Sequence, residues 1–443
     1  MGFLRGFSIA MGASTILLVL SFLNNKLIYV YLDKSDNGVY FIFMRFSMFI
    51  SLVFGEWFRL SNINIAGGDK STIPALSANN LWYSASVGTI LVIAALALSQ
   101  LSGSTFGGIS WKYIWVALLV GVTVILRESF QSLLMVSQKM LAYGITFVVW
   151  GSVVLVMNII FLLVFNAELD FVVTAWFLGI LAGALWAFFS IVSYNGFHWK
   201  PSWQVFSMSG NIGIRAWLAV VGMFLMLNFH AFILGPLSGN TGDGLVMVAV
   251  FSVCFRFFQL LQRVSNVSGT ILFSHVVRKD KNTGFDMTRR VTRNIILFSV
   301  IFSLGGMIAG KGIIRLISNS TYLMAYYPML LMLPGIIAMN AGSVINGMYW
   351  GHGYPYKVIL APFVITIAGS ALDVALIPRI GVSGATLSFS IMSVGWFAYI
   401  TLLFKTDSGY RMSEILIPHR EDIVQVTSRI KNYMFLNNVA KLQ

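Results

Sequence analysis

Twelve apolar stretches, separated by short polar segments, run through the 443-residue chain. Each is about 20 residues long or longer, enough for a helix to cross ~30 Å of hydrocarbon. The apolar residues are consecutive rather than alternating, which favours helices over the strands of a membrane barrel. The predicted spans are 7–32, 40–60, 80–102, 113–134, 140–164, 172–194, 213–236, 244–275, 292–313, 323–349, 356–376 and 382–404. The pattern predicts an all-α integral membrane protein.

The connection between the sixth and seventh predicted spans divides the chain into two halves of six helices each. It contains Trp199, Lys200, Pro201 and Trp203, a composition typical of a segment at the membrane–water interface. Two six-helix lobes around a central cavity are a transporter arrangement. The predicted organisation is an N-terminal lobe at 1–194, a cytoplasmic linker at 195–212, a C-terminal lobe at 213–404 and a cytoplasmic tail at 405–443.

The composition agrees with a membrane protein and suggests its orientation. Hydrophobic residues make up 58% of the chain and charged residues 10%, whereas soluble domains carry about 25% charged residues. The net charge of +14 does not require nucleic acid as a partner, because cytoplasmic loops of membrane proteins are rich in Lys and Arg. Both termini are predicted to face the cytoplasm, and the first span is predicted to be retained rather than cleaved as a signal peptide.

Two basic segments outside the predicted spans point to contacts with membrane lipids. Segment 276–293 is predicted to be a cytoplasmic loop that contacts anionic lipid. Segment 420–442 is predicted to form a short amphipathic helix at the membrane surface.

The eighth span carries a polar stripe that is the strongest functional signal in the sequence. Ser252, Arg256, Gln259, Arg263 and Asn266 follow one another at helical spacing, so they share one face, while the other faces are apolar. An arginine at membrane depth costs at least ~2.5 kcal/mol on insertion scales and is usually paired or functional. Two arginines on one stripe predict a site for an anionic ligand.

Other cations also lie within predicted spans, and few acids oppose them. The cations are Lys26, Arg45, Arg127, Arg215, Arg256, Arg263 and Lys311, and the acids are Glu56, Glu128 and Asp373. Arg215 and Lys311 begin or end a span, so they are expected to reach the interface. Arg127 and Glu128 are adjacent and point about 100° apart on a helix, a poor geometry for pairing. Structural pairing of Arg45 or Arg127 with Glu56 or Glu128 remains an alternative to a binding role.

These cations predict a central cationic cavity. A guanidinium group stays charged and matches phosphate oxygens with two parallel hydrogen bonds. A cavity with excess cations therefore suits a diphosphate better than a cationic drug. The candidate substrate-binding residues are Arg256, Arg263, Gln259, Lys26, Arg45 and Arg127.

The acids within the spans are candidates for coupling to an ion gradient. Asp373 would bind H⁺ or Na⁺, or else pair with Arg379 in the next loop; Glu128 and Glu56 are weaker candidates. His230 is the one histidine well inside a predicted span, and it would either bond to a neighbouring helix or take part in proton coupling. No cofactor and no metal are predicted.

No enzyme signature is present in the sequence. It lacks a P-loop, a GxSxG motif, an HExxH motif and a Cys/His metal cluster. The predicted loops are too short to form a catalytic domain outside the membrane. These features predict a protein that is not an enzyme.

Three parts of the chain carry recognisable motifs. Lys26 ends the first predicted span, and Gly38-Val39-Tyr40 follows in a short loop before the second. Residues 255–278 of the eighth span contain Ser274-His275. Later in the chain come Leu333-Pro334-Gly335, then Gly351-His352-Gly353-Tyr354-Pro355, then Ile377-Pro378-Arg379-Ile380-Gly381-Val382-Ser383-Gly384-Ala385. These parts resemble bacterial polysaccharide flippases of the multidrug/oligosaccharidyl-lipid/polysaccharide exporter superfamily. Lys26 takes a position usually held by arginine in that family, residues 255–278 resemble its eighth span with Ser274-His275 in place of the usual proline, and the later motifs resemble its late signature.

The resemblance implies alternating access between two lobes in the bacterial cytoplasmic (inner) membrane. It implies export of undecaprenyl-diphosphate-linked oligosaccharide repeat units for O-antigen or exopolysaccharide assembly, with membrane lipids, a polysaccharide polymerase and a chain-length regulator as partners. Two alternatives stay open at this point. One is a multidrug/cation antiporter of the same superfamily, which should line its cavity with carboxylates. The other is an integral membrane polysaccharide polymerase, which should carry a large outer loop or a carboxylate cluster.

Overall fold

The computed structural model describes residues 3–101, 105–106, 109–166, 168–238, 243–276 and 281–417. The first half contains α1 Phe3–Tyr31, α2 Lys34–Gly68, α3 Ile73–Leu101, α4 Trp111–Val136, α5 Met140–Ile159, α6 Leu169–Asn195 and α7 Trp203–Ile212. The second half contains α8 Ile214–Leu237, α9 Asp243–Val276, α10 Lys281–Ile317, α11 Tyr326–Gly351, α12 Tyr356–Ile380, α13 Val382–Ser408 and α14 Met412–Leu416. Two-residue strands β1 Thr105–Phe106 and β2 Ile109–Ser110 pair antiparallel between α3 and α4.

Short elements complete the helical framework. Short 3-10 helices lie at Lys70–Thr72 and Ser320–Ala325, and a π-helical turn at Ile160–Val164 extends α5. Among the described residues, twelve helices are long and apolar enough to cross a membrane. The predicted all-helical class and the predicted number of spans are therefore confirmed.

Helices α2 and α10 extend further beyond the apolar runs that predicted them than the other helices do. Helix α2 begins at Lys34 and ends at Gly68, beyond both limits of the predicted span 40–60, because an apolar run marks the hydrocarbon-crossing part and not the helix ends. The prediction of a basic loop at 276–293 is wrong from Lys281 onward, because helix α10 begins at Lys281. Phe285 on this extension is buried and packs against Phe404, which explains why a polar segment continues a membrane helix. The predicted surface helix at 420–442 lies outside the described residues.

The helices pack mainly within two groups. One group consists of α1 to α6, and the other consists of α8 to α13. Contacts between the groups run chiefly between α2 and α9, with further contacts from α2 to α8 and from α1 to α10. This arrangement leaves α1, α2, α8 and α9 at the boundary, where a central cavity would lie. The residue limits given above for the two lobes stay a prediction.

The two groups meet closely at the end of the molecule where α1 ends and α2 begins, called here the α1–α2 end. The hydroxyl groups of Tyr29 and Ser252 hydrogen-bond across the boundary at 2.7 Å. The Asn319 side-chain amide donates to the backbone carbonyl of Tyr29 at 2.9 Å. Gly38 of α2 lies so near α9 that an added Cβ would stand 2.1 Å from the carbonyl oxygen of Leu245. By the predicted orientation this is the outer end, and it is closed.

Candidate functional site

Two neighbouring chambers lie at the boundary between the helix groups. The first, called here the amide chamber, has a volume of about 280 Å³ and includes Asn24, Asn25, Arg256, Gln259 and Gln262 in its wall. The second, called here the carboxylate chamber, has a volume of about 250 Å³ and includes Glu56, Arg127 and Glu128. Met48, Trp150 and Trp176 line both chambers, so these three side chains form the partition between them.

Among the described residues that line the amide chamber there is one cation, Arg256, and no acid. Arg256 is partly buried, and its Nη1 group donates a long hydrogen bond of 3.4 Å to Oε1 of Gln259, the next residue on the polar stripe. Its Nε group has no hydrogen-bond partner among the described residues. A guanidinium group with free donors and no carboxylate beside it is well suited to bind an anion.

The carboxylate chamber is close to electrically balanced. Nη2 of Arg127 lies 3.0 Å from Oε1 of Glu128, and Glu56 accepts a hydrogen bond of 2.7 Å from Nε of Arg59. The expectation that Arg127 and Glu128 pair poorly is therefore wrong: both side chains are long enough to bend into the same chamber despite leaving the helix in different directions. The cationic character inferred for the whole cavity is concentrated in the amide chamber.

Arg127 also packs on the partition. Its guanidinium carbon lies 4.3 Å from the centre of the Trp150 ring, a cation–π distance. Its Nε and Nη1 groups have no hydrogen-bond partner among the described residues. Arg127 therefore keeps two N–H donor groups for a ligand, although its Nη2 group is already paired with Glu128.

Arg45 and Lys26 occupy different surroundings. Arg45 is 5% exposed, and its guanidinium carbon lies 4.9 Å and 4.5 Å from the ring centres of Phe41 and Phe255. Arg45 therefore packs against the ring of Phe255, the residue that precedes Arg256 on α9, and it lines neither chamber. Lys26 does not point at either chamber: its ammonium group donates to the backbone carbonyl of Arg315 at 2.7 Å and to that of Ser318.

Lys26 thus joins α1 to the carboxyl end of α10. The last carbonyl groups of a helix have no intrahelical donor and carry partial negative charge, so a lysine is a favourable partner there. Lys26 therefore contributes to the closed α1–α2 end, and its predicted role in substrate binding stays a prediction.

The polar stripe on α9 is only partly described. Arg256 and Gln259 both line the amide chamber, in agreement with the prediction that they share one face of the helix. Ser252 instead hydrogen-bonds to Tyr29 at the closed α1–α2 end. The side chains of Arg263 and Asn266 lie outside the described residues. The predicted role of Arg263 stays a prediction.

Asp373 and His230 form a buried pair away from both chambers. Nδ1 of His230 lies 2.9 Å and 2.8 Å from the two carboxylate oxygens of Asp373, and both side chains are fully buried. The pair joins α8 to α12, which confirms that His230 bonds to a neighbouring helix. The alternative partner suggested for Asp373 is wrong, since Arg379 lines a separate cavity at the turn between α12 and α13.

Sequence reasoning missed the partition and most of the amides. Trp150 and Trp176 stand in apolar runs, where nothing in the pattern separates a ring facing lipid from one facing a cavity. Asn24 and Asn25 directly precede Lys26 near the end of the first predicted span, where the pattern does not separate an amide that faces a cavity from one at the interface. A signal did exist for Gln262, which follows Gln259 by three positions on the same helix.

This helical arrangement is the fold of transporters of the multidrug/oligosaccharidyl-lipid/polysaccharide (MOP) superfamily. An inward-facing MATE family multidrug resistance transporter superposes with a TM-score of 0.66 at 14% identity, over 89% of this chain and 94% of that one. Lipid II flippase MurJ in an inward closed conformation gives a TM-score of 0.67 at 14% identity, over 96% of this chain and 97% of that one. No protein-family model and no curated protein matches the sequence.

Proposed function

We propose that this chain is a flippase of a bacterial cytoplasmic membrane, moving undecaprenyl-diphosphate-linked oligosaccharide repeat units to the outer leaflet. The observation that carries the proposal is Arg256 in a chamber whose described lining includes no carboxylate. The fold, shared with a lipid II flippase and with multidrug transporters, allows either kind of cargo. The charge of the amide chamber favours an anionic one.

Each part of the cargo has a suitable environment. The diphosphate would bind Arg256, with Arg127 across the partition and Arg45 and Arg263 as further cations on the path. The sugar units would occupy the chambers, whose walls carry amide groups. The prenyl tail would stay in lipid between the two helix groups. Alternating opening of the two ends, with Lys26 released from α10, would complete the movement.

A multidrug/cation antiporter is the second candidate function, favoured by the two acids of the carboxylate chamber. A cationic drug needs a carboxylate that is free to neutralise it. Glu128 is held by Arg127 and Glu56 by Arg59, at 3.0 Å and 2.7 Å, and an arginine stays charged at physiological pH. The paired acids make this candidate the weaker one.

For energy coupling we propose Asp373, ahead of Glu128 and Glu56, with H⁺ as the ion. Nδ1 of its partner His230 lies 2.8 Å from the Asp373 carboxylate, close enough for a proton to pass between the two side chains. The two glutamates are instead paired with arginines, whose protonation does not change. Asn in place of Asp373, or Gln in place of His230, is expected to abolish the stimulation of flipping by an imposed pH gradient in proteoliposomes, while undecaprenyl diphosphate still binds.

The matched control for this prediction is Glu128→Gln, which should keep the response to the gradient. If the Asp373→Asn and His230→Gln proteins respond like the unaltered protein, the buried pair is not the coupling site. If a Na⁺ gradient without a pH gradient drives the unaltered protein equally well, proton coupling is wrong.

The experiment that tests the proposed function is deletion of the gene in its source strain. We expect surface polysaccharide to be lost and lipid-linked repeat units to accumulate on the cytoplasmic leaflet. If complete repeat units instead reach the outer leaflet and remain unpolymerised, the flippase proposal is wrong and a polymerase takes its place.

A further inference from the structure

We infer that Trp150 and Trp176, with the amide groups around them, form a sugar-binding platform that recognises the first residues of the glycan. The inference rests on the proposed function, because it names where the sugar end of the same cargo binds. The two indole rings meet edge to face, with their centres 5.5 Å apart and their planes at 81°. Both rings line both chambers, so a ligand that occupies either chamber touches them.

The position of Trp150 is fixed by glycines on the neighbouring helix α6. An added Cβ at Gly179 would stand 3.0 Å from the carbonyl oxygen of Trp150, and one at Gly183 would stand 3.2 Å from its Cβ. These distances are tighter than ordinary contacts, so the glycines let α6 pack directly against the backbone of α5. Arg127 covers part of the Trp150 ring at 4.3 Å. The Trp150 ring is therefore fixed in position by its neighbours.

The Trp176 ring is in contact with a tyrosine of α2. The ring of Tyr40 meets it edge to face, with centres 6.3 Å apart and planes at 89°. Neither indole N–H, of Trp150 or of Trp176, has a hydrogen-bond partner among the described residues. Each N–H is a buried donor without a partner, and a sugar hydroxyl bound against the ring would satisfy it.

The amide groups supply the second half of the recognition. Asn25, Gln259 and Gln262 line the chamber on the other side of the rings, next to Arg256. A side-chain amide carries both a donor and an acceptor, which matches neighbouring hydroxyl groups on a sugar. Asn24 is buried and its Oδ1 is already held by Asn158 at 2.7 Å, which keeps that part of the wall in place.

This combination of groups fits a saccharide better than a bare lipid diphosphate. A pyranose ring has apolar C–H faces that pack on aromatic rings and a rim of hydroxyl groups that need donors and acceptors. Flat aromatic surface with a few placed polar groups is the usual make-up of a small-molecule site. The diphosphate alone would use the arginines and leave the rings and amides without a role.

The test compares two probes on the full-length protein in lipid nanodiscs. One probe is undecaprenyl diphosphate, and the other is the lipid-linked saccharide fraction extracted from the cytoplasmic membrane of the source strain. We expect the unaltered protein to prefer the saccharide-bearing lipid. Trp176→Leu should lower the affinity for that lipid about tenfold, the size expected when an aromatic anchor is truncated, and leave undecaprenyl diphosphate binding unchanged.

Two further variants separate recognition from folding. Trp176→Tyr keeps an aromatic face and should restore much of the preference, and it remains informative if Trp176→Leu does not fold. Trp186→Leu removes a tryptophan from the same helix at a position outside both chambers, where it bonds to the carbonyl of Ala142, and should not change the preference.

The outcomes distinguish the platform from the proposed function. If the unaltered protein binds both lipids equally, or if Trp176→Leu keeps the preference, the platform inference is overturned while the diphosphate site stands. If neither lipid binds, the proposed function is overturned and the platform with it.

Discussion

Replacement of Arg256 by alanine is expected to abolish surface polysaccharide while leaving normal amounts of the protein in the membrane. Arg256 is the charged residue in the described lining of the amide chamber, so its loss leaves no carboxylate of that lining unpaired. Truncating a buried charged contact costs about 2–5 kcal/mol or more, and 2 kcal/mol already corresponds to roughly a thirtyfold loss of affinity. Surface polysaccharide in a deletion strain that carries the variant gene measures the effect.

Two matched variants show whether charge or geometry is lost. Arg256→Lys keeps the charge but not the two-pronged donor group, so an intermediate amount of polysaccharide is expected. Arg215→Ala removes an arginine at the start of α8, where the side chain is exposed and packs on the Tyr356 ring at 4.8 Å, and should leave the polysaccharide unchanged. Full retention of surface polysaccharide by the Arg256→Ala strain contradicts the assignment of this residue as a principal phosphate contact.

Gly38→Ala is expected to abolish flipping by preventing closure of the α1–α2 end. The added Cβ would stand 2.1 Å from the carbonyl oxygen of Leu245 and 2.8 Å from its carbonyl carbon. These atoms belong to the backbone of α9 and cannot rotate away, so α2 and α9 must separate. Alternating access requires each end to close in turn, and a transporter that cannot close one end cannot complete a cycle. A transport assay in proteoliposomes measures the loss.

Gly395→Ala is the matched control for this prediction. Gly395 also lies within a helix, and nothing would lie within 4 Å of a Cβ added there. Alanine is favoured over glycine in a helix by about 1 kcal/mol, so both substitutions improve helix propensity and only Gly38→Ala creates a clash. Equal transport by the two variants would show that the close approach of α2 and α9 is not needed.

The sequence was sufficient to predict what depends on local pattern. Continuous apolar runs predicted the twelve helices, and helical spacing predicted that Arg256 and Gln259 share a face, which the amide chamber agrees with. The ends of helices were less predictable. Helix α10 extends through a segment rich in charge because Phe285 finds a buried partner in Phe404, and that partner is more than a hundred positions away in the chain.

Pairings between distant residues could not be predicted from pattern alone. His230 and Asp373 meet because α8 packs against α12, and Lys26 finds its carbonyl partners because α1 ends beside the end of α10. Both depend on how the helices are arranged, which a single sequence does not specify. The same reason explains why Trp150 and Trp176 were not recognised as cavity residues.

The most direct test of the central claim uses the purified protein in liposomes that contain the lipid-linked saccharide fraction of the source strain. The quantity to measure is the rate at which saccharide of the inner leaflet becomes accessible to a reagent that cannot cross the membrane. The account predicts fast exposure with the unaltered protein and exposure at the protein-free rate with Arg256→Ala. A rate for the unaltered protein equal to that of protein-free liposomes would contradict it.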